Sequence, residues 1–150
     1  MALPSYIDDL NKWQEGFKYS TPVTVRFSET DAFGHLNNTV PFIYFEQARI
    51  NYLKELGLMK EWFSHAGDTI IVTADLHCDY VKQVYFDEKL DIFVKVDQIG
   101  RSSFDLHYMV MNEKKAVVLT GRGRIVQVSK ANGKAAPWNE ATMALFEEAL

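Results

Sequence analysis

The residues best suited to chemistry stand together early in the chain, in Glu29-Thr30-Asp31-Ala32-Phe33-Gly34-His35-Leu36-Asn37-Asn38, a stretch without apolar periodicity that reads as a loop. Pro41 follows shortly after and suits the first turn of a helix, where a missing N–H costs nothing. A carboxylate just upstream of a helix N-terminus brings two catalytic parts together. Asp31 can act as nucleophile or general base, and unpaired first-turn N–H groups, backed by the helix dipole, can hold an oxygen that gains negative charge. The backbone N–H of Asn38 is the expected donor. Gly34 gives the backbone a tight approach between Asp31 and the helix, with positive φ open to it. His35 orients either a bound group or the loop itself, and Asn37 bonds the loop backbone or lines a pocket. Taken alone, an aspartate before a helix is more commonly an Asx-turn or N-cap residue.

These residues need a scaffold, and the periodicity supplies one. Tyr6, Ile7, Leu10, Trp13 and Phe17 follow helical spacing, which predicts a short amphipathic helix over 6–17. Period two takes over from Thr21 to Phe27, with Val23, Val25 and Phe27 on one face of a first strand. From Phe42 to Leu56 a wide apolar arc leaves only a minority of wet residues, led by Glu46, Gln47, Lys54 and Glu55, so this long helix is read as mostly enclosed, with Gly57 as its stop. A short helical piece around Met59 to His65 precedes four strands, roughly Thr69 to Val81, Lys89 to Ile99, Ser102 to Met111 and Lys115 to Val128. The connectors at 85–88, 100–101 and 112–114 are short enough for antiparallel hairpins. Trp138 to Leu150 returns to helical spacing, capped near Asn139. Burying the wide arc of the long helix calls for one antiparallel sheet wrapped around it, an α+β architecture with short N- and C-terminal helices, in one domain over residues 1–150.

Composition narrows the function classes. The chain has 150 residues, 47% hydrophobic and 24% charged, with a formal charge of −4. No basic run makes a track for nucleic acid, and no apolar run approaches the ~20 residues of a membrane helix. Met1-Ala2-Leu3-Pro4-Ser5 lacks the pattern of a secretory signal, and the single Cys78 cannot close an intramolecular disulfide, so a cytoplasmic protein is expected. His35, His65, His77 and His107 show no metal-ligand spacing, so neither metal nor cofactor is expected. Cys78 lies mid-strand in an apolar run, and no nucleophile-elbow motif offers a serine.

The segment Val25-Arg26-Phe27-Ser28-Glu29-Thr30-Asp31-Ala32-Phe33-Gly34-His35-Leu36-Asn37-Asn38, continued by Tyr44-Phe45-Glu46-Gln47-Ala48-Arg49, resembles the signature of the 4-hydroxybenzoyl-CoA thioesterase family of hotdog proteins. The resemblance implies a hotdog domain that joins two sheets edge to edge in a homodimer or homotetramer, with an acyl-CoA thioester bound at the dimer interface. It implies that Asp31 drives hydrolysis and that the N–H near Asn38 polarises the carbonyl. Departures fall at Pro41, where the family commonly has tyrosine, and at Lys82-Gln83-Val84, where a proline often ends the strand.

Around that centre, Glu46 could hold water or pair with Arg49, the ion-pair or solvated reading being the commoner one. Tyr44, Phe45 and Tyr52 read as core. For CoA phosphates the candidate cations are Arg101, Lys82, Arg122 and Arg124, and Arg101 in a hairpin turn beside Ser102 is preferred. Two rival readings share the fold: a non-catalytic module binding acyl-CoA or acyl-carrier protein, and an acyl-carrier-protein thioesterase. A hotdog dehydratase, which would need a His and Asp pair, fits the Asp31 segment less well.

Overall fold

The computed structural model describes residues 2–150. Its elements run α1 (Leu10–Glu15), β1 (Tyr19–Thr24), a 3-10 turn (Phe27–Glu29), α2 (Val40–Glu55), α3 (Met59–Trp62), β2 (Thr69–Tyr80), β3 (Lys89–Ile99), β4 (Ser103–Asn112), β5 (Val117–Ser129) and α4 (Glu140–Ala149). The strands form one antiparallel sheet in the order β1-β3-β4-β5-β2, wrapped around α2 as the apolar arc predicts.

Alternation decides which side of the sheet meets the helix. Leu90, Ile92, Val94 and Val96 of β3 point inward and are at most 5% exposed, as do Leu106 and Tyr108 of β4. On α2, Tyr44, Phe45, Ala48, Tyr52 and Leu53 meet them. Phe45 is fully buried and stacks on Tyr108 with ring centroids 4.4 Å apart. Gly121 makes that contact possible, because a Cβ there would stand 2.6 Å from both Phe45 Cε2 and the His77 carbonyl oxygen. At the helix end, Gly57 at φ 80° closes a Schellman motif, with Leu58 N–H on Leu53 O and Gly57 N–H on Lys54 O, both at 3.0 Å. Asn139 caps α4 as expected, accepting from Thr142 N–H at 2.8 Å.

Four expectations are corrected. The first strand ends at Thr24, and Phe27 is 77% exposed in a 3-10 turn, because the chain must bend there to begin the loop. Helix α1 covers only Leu10–Glu15, and Leu10 faces solvent while Ile7, Trp13 and Phe17 are buried. Helix α2 is less enclosed than its composition indicates, with Ile43 exposed beside Glu46 and Gln47. The connector over 81–88 is not a hairpin: it crosses from β2 at one edge to β3 beside β1. Its backbone groups serve the loop instead, Val84 O accepting from Leu36 N–H at 2.6 Å and Glu88 O from Val25 N–H at 3.0 Å, with Val84 buried as the anchor.

The N-terminal segment covers the outer face of the sheet, where Ile7, Trp13, Phe17 and Met109 form a second, smaller core. Trp13 Nε1–H donates to Nδ1 of buried His107 at 2.9 Å, which requires that nitrogen to be unprotonated. Burial holds the His107 pKa below its ordinary value, with Lys95 and Arg122 adding to the depression and Asp97 and Asp105 opposing it. The unfolded chain therefore binds a proton before the folded one as pH falls. Stability should be full above about pH 6.5 and decline below it, by at most about 1.4 kcal/mol per pH unit from this group. Thermal melts from pH 7.5 to 5.5 check this: wild type should lose more stability than His107→Gln, and parallel losses would remove His107 from the explanation.

Candidate active site

The loop after β1 folds back on itself. Thr30 pairs with Leu36, Asp31 N–H donates to His35 O at 2.8 Å, and Asn37 N–H donates to Glu29 O at 2.8 Å. Gly34 lies at φ 79° and donates its N–H to Asp31 O at 3.0 Å. A Cβ there would meet nothing within 4 Å, so the requirement at Gly34 is conformation, not room.

Asp31 Oδ1 accepts from Phe33 N–H at 2.9 Å and from His35 N–H at 3.1 Å, which is the Asx-turn geometry. Both bonds fall on one oxygen. Among the described residues Oδ2 has no hydrogen-bond partner, so the turn fixes the carboxylate by one oxygen and leaves the other available. The structural and chemical readings of Asp31 are therefore compatible.

The start of α2 lies at the end of the same loop. Asn37 Oδ1 accepts from Thr39 N–H at 3.0 Å and Thr39 Oγ1–H at 2.9 Å, and Asn37 O accepts from Val40 N–H at 3.0 Å. Pro41 has no N–H to offer. The N–H of Asn38 has no partner among the described residues, and the Asn38 carbonyl is pinned by the hydroxyl of Tyr80 on β2. Asn37 is thus an organiser of the helix start, while Asn38 presents a free donor.

His35 contributes its backbone N–H to Asp31, while its ring sits edge-on to Tyr85 at 5.2 Å. Among the described residues the His35 imidazole itself makes no hydrogen bond. Glu46 is exposed, and the expected pairing with Arg49 does not form, because Arg49 is buried and donates to Tyr108 Oη at 3.2 Å. Arg101 and Ser102 sit at the β3–β4 turn, with the Arg101 carbonyl taking Trp138 N–H at 3.1 Å. They lie at the opposite end of the eleven-residue β3 from the Asp31 loop. One chain does not bring them to Asp31. Arg122 and Arg124 are committed to the outer face, to Asp75 at 3.1 Å and Asp105 at 2.8 Å respectively. Lys82 instead lines a 160 Å³ cleft with Leu36, Tyr80 and Val84, next to the loop. Cys78 is no nucleophile here, since burial pushes its thiol up to about 12.

Glu29 is a partner that pattern reading passed over. Its Oε1 accepts from Arg26 N–H at 2.8 Å and from buried Tyr44 Oη–H at 2.9 Å. Burial alone would raise its pKa, but these bonds and the Arg26 guanidinium outweigh it and hold the carboxyl below its ordinary range. The result ties α2 to the root of the loop two residues before Asp31. A tyrosine among core residues and a glutamate two before the aspartate were the only signals.

Residues 25–146 match the family model of the thioesterase-like superfamily. The chain belongs to that superfamily. It is 46% identical over 141 residues to the uncharacterized protein YsmA of Bacillus subtilis, covering 93% of each chain. The structure of a thioesterase from Thermus thermophilus complexed with coenzyme A and zinc is 29% identical, covers 90% of this chain and 96% of that one, and superposes with a TM-score of 0.76. A DHNA-CoA thioesterase from Staphylococcus aureus shares the fold at 24% identity, with a TM-score of 0.76 over 86% of this chain and 88% of that one. This thioesterase-like chain therefore has the α+β hotdog fold. Among its described residues no group of three or more His, Cys, Asp and Glu side chains is placed to hold a metal ion, and no helix is long and apolar enough to cross a membrane.

Proposed function

We propose that the protein hydrolyses an acyl-CoA thioester to the free acid and CoA, in the manner of 4-hydroxybenzoyl-CoA thioesterases, with Asp31 as the reacting carboxylate and Asn38 N–H polarising the thioester carbonyl. The carrying observation is that Asp31 is held by Oδ1 alone while an unpartnered N–H ends the same loop at the start of α2. Membership of the thioesterase-like superfamily and the coenzyme A bound in the Thermus relative support the substrate class.

Two routes use these groups. In one, Oδ2 attacks the carbonyl carbon, the C–S bond breaks, the CoA thiolate leaves, and water hydrolyses the mixed anhydride. In the other, Asp31 takes a proton from water, the resulting hydroxide adds to the carbonyl, and the proton is returned to the departing thiolate. In either, negative charge builds on the carbonyl oxygen and is met by Asn38 N–H and the α2 dipole.

We also read the site as completed by a second copy. Strand β2 is a twelve-residue edge whose free side carries backbone donors and acceptors, and Ile70, Val72 and Tyr80 on it are exposed. Phe27, Phe33, Tyr85 and Phe86 are exposed around the Asp31 loop. Joining β2 to β2 would cover the edge and bring residues of one protomer toward the loop of the other.

The test is release of free thiol from short, long and aromatic acyl-CoA by the purified protein, alongside its mass in solution by light scattering. Turnover of at least one class by a dimer or tetramer is expected. Binding without turnover would instead favour a non-catalytic acyl-CoA or acyl-carrier module.

A further inference from the structure

Arg49 is 7% exposed, yet the ion pairs formed among the described residues do not include it. Its one hydrogen bond goes to a neutral partner, Tyr108 Oη at 3.2 Å, and the remaining guanidinium donors have no protein partner and are not sealed from solvent. A guanidinium with unpaired donors that still reach solvent can bond an anion brought to it. Arg49 also lines a cavity of about 320 Å³ between α2, α3 and the first half of β2. Ile50, Met59, Trp62, Ile71 and Ile125 make its walls apolar. The volume falls at the lower end of small-molecule sites, and an apolar chamber with one fixed, planar, multiply donating cation suits one ligand chemistry.

We propose that this cavity binds the carboxylate of an apolar carboxylic acid, with the Arg49 guanidinium pairing to the acid and the apolar walls taking its hydrocarbon. The acid has two sources: the far end of an acyl group that carries a second carboxylate, or a free acid such as the product of hydrolysis. Only the first rests on the thioesterase reading, and binding of free acids tests the cavity independently of turnover.

Trp62 lines the cavity, so its fluorescence reports occupancy. Titrating wild type with alkanoic and aryl-alkanoic acids and with their uncharged primary amides should show the acids bound at least tenfold more tightly. Arg49→Met should bring acid and amide to parity, and Arg49→Lys should keep part of the preference. In parallel, thiol release is followed with acyl-CoA and with ω-carboxyacyl-CoA of equal length. If Arg49→Met loses kcat/KM on the ω-carboxy substrate alone, the site reads the far end of the acyl group. If free-acid binding is lost while both thioesters turn over as before, the site belongs to a free acid. Equal affinity for acid and amide in wild type, an acid preference that survives Arg49→Met, or no binding of either would overturn the proposal. The wild-type comparison decides the matter even if the variants do not fold.

Discussion

Asp31→Asn is expected to lower kcat/KM for acyl-CoA hydrolysis by about 10²–10⁴-fold while leaving the melting temperature nearly unchanged. The asparagine Oδ1 can still accept from Phe33 and His35 N–H, the two bonds at 2.9 and 3.1 Å that shape the loop, so the turn survives. What is lost is the negative charge and basicity on the second oxygen, which both routes require. Asp31→Ala separates the two roles in the other direction. It removes the carboxylate and the turn bonds together, so it should abolish activity and also cost about 1 kcal/mol of stability. Steady-state kinetics with melts of the same samples check both.

Phe45→Ala should have the largest effect on stability, about 3–5 kcal/mol. Phe45 is fully buried, stacks on Tyr108 at 4.4 Å and presses on Gly121, where no Cβ intervenes. Emptying that position leaves a cavity that the stiff sheet cannot close, and it frees the contact that seats α2. For a chain of this size the loss corresponds to a fall in melting temperature of about 10 °C or more, measurable by calorimetry. Because Tyr108 also bonds Arg49, the same variant should loosen the Arg49 cavity.

Much of this arrangement is visible in the residues themselves. Strand β3 announces its inward face through Leu90, Ile92, Val94 and Val96, because a half-buried strand has a period of two and little else produces one. Asn139 and Gly57 mark helix ends for equally local reasons. Asp31, Gly34 and the helix start are local too, which is why the loop stood out. The errors are those of long-range pairing. The length of the 81–88 connector is compatible with a hairpin, and nothing in it says that β2 belongs beside β5 at the far edge. Arg101 and Ser102 have suitable chemistry, but their separation from Asp31 follows only from the direction of β3. Arg122 and Arg124 have the chemistry of free cations, but the register sets Arg124 between Asp75 and Asp105 and Arg122 two residues away, within reach of Asp75. Glu29 and Tyr44, fifteen residues apart, become one unit only when α2 folds back over the loop. The free edge of β2 is read as the place of a second copy, which no single chain can display.

A single-turnover experiment separates chemistry from binding and so reaches the role of Asp31 most directly. Wild type and Asp31→Asn, each in excess over an acyl-CoA that wild type turns over, are mixed, quenched at intervals and assayed for free CoA. Wild type should release CoA in one exponential phase, and Asp31→Asn should bind the thioester yet release it at least a hundredfold more slowly. Equal rates in the two proteins would contradict the assignment of Asp31 as the reacting carboxylate.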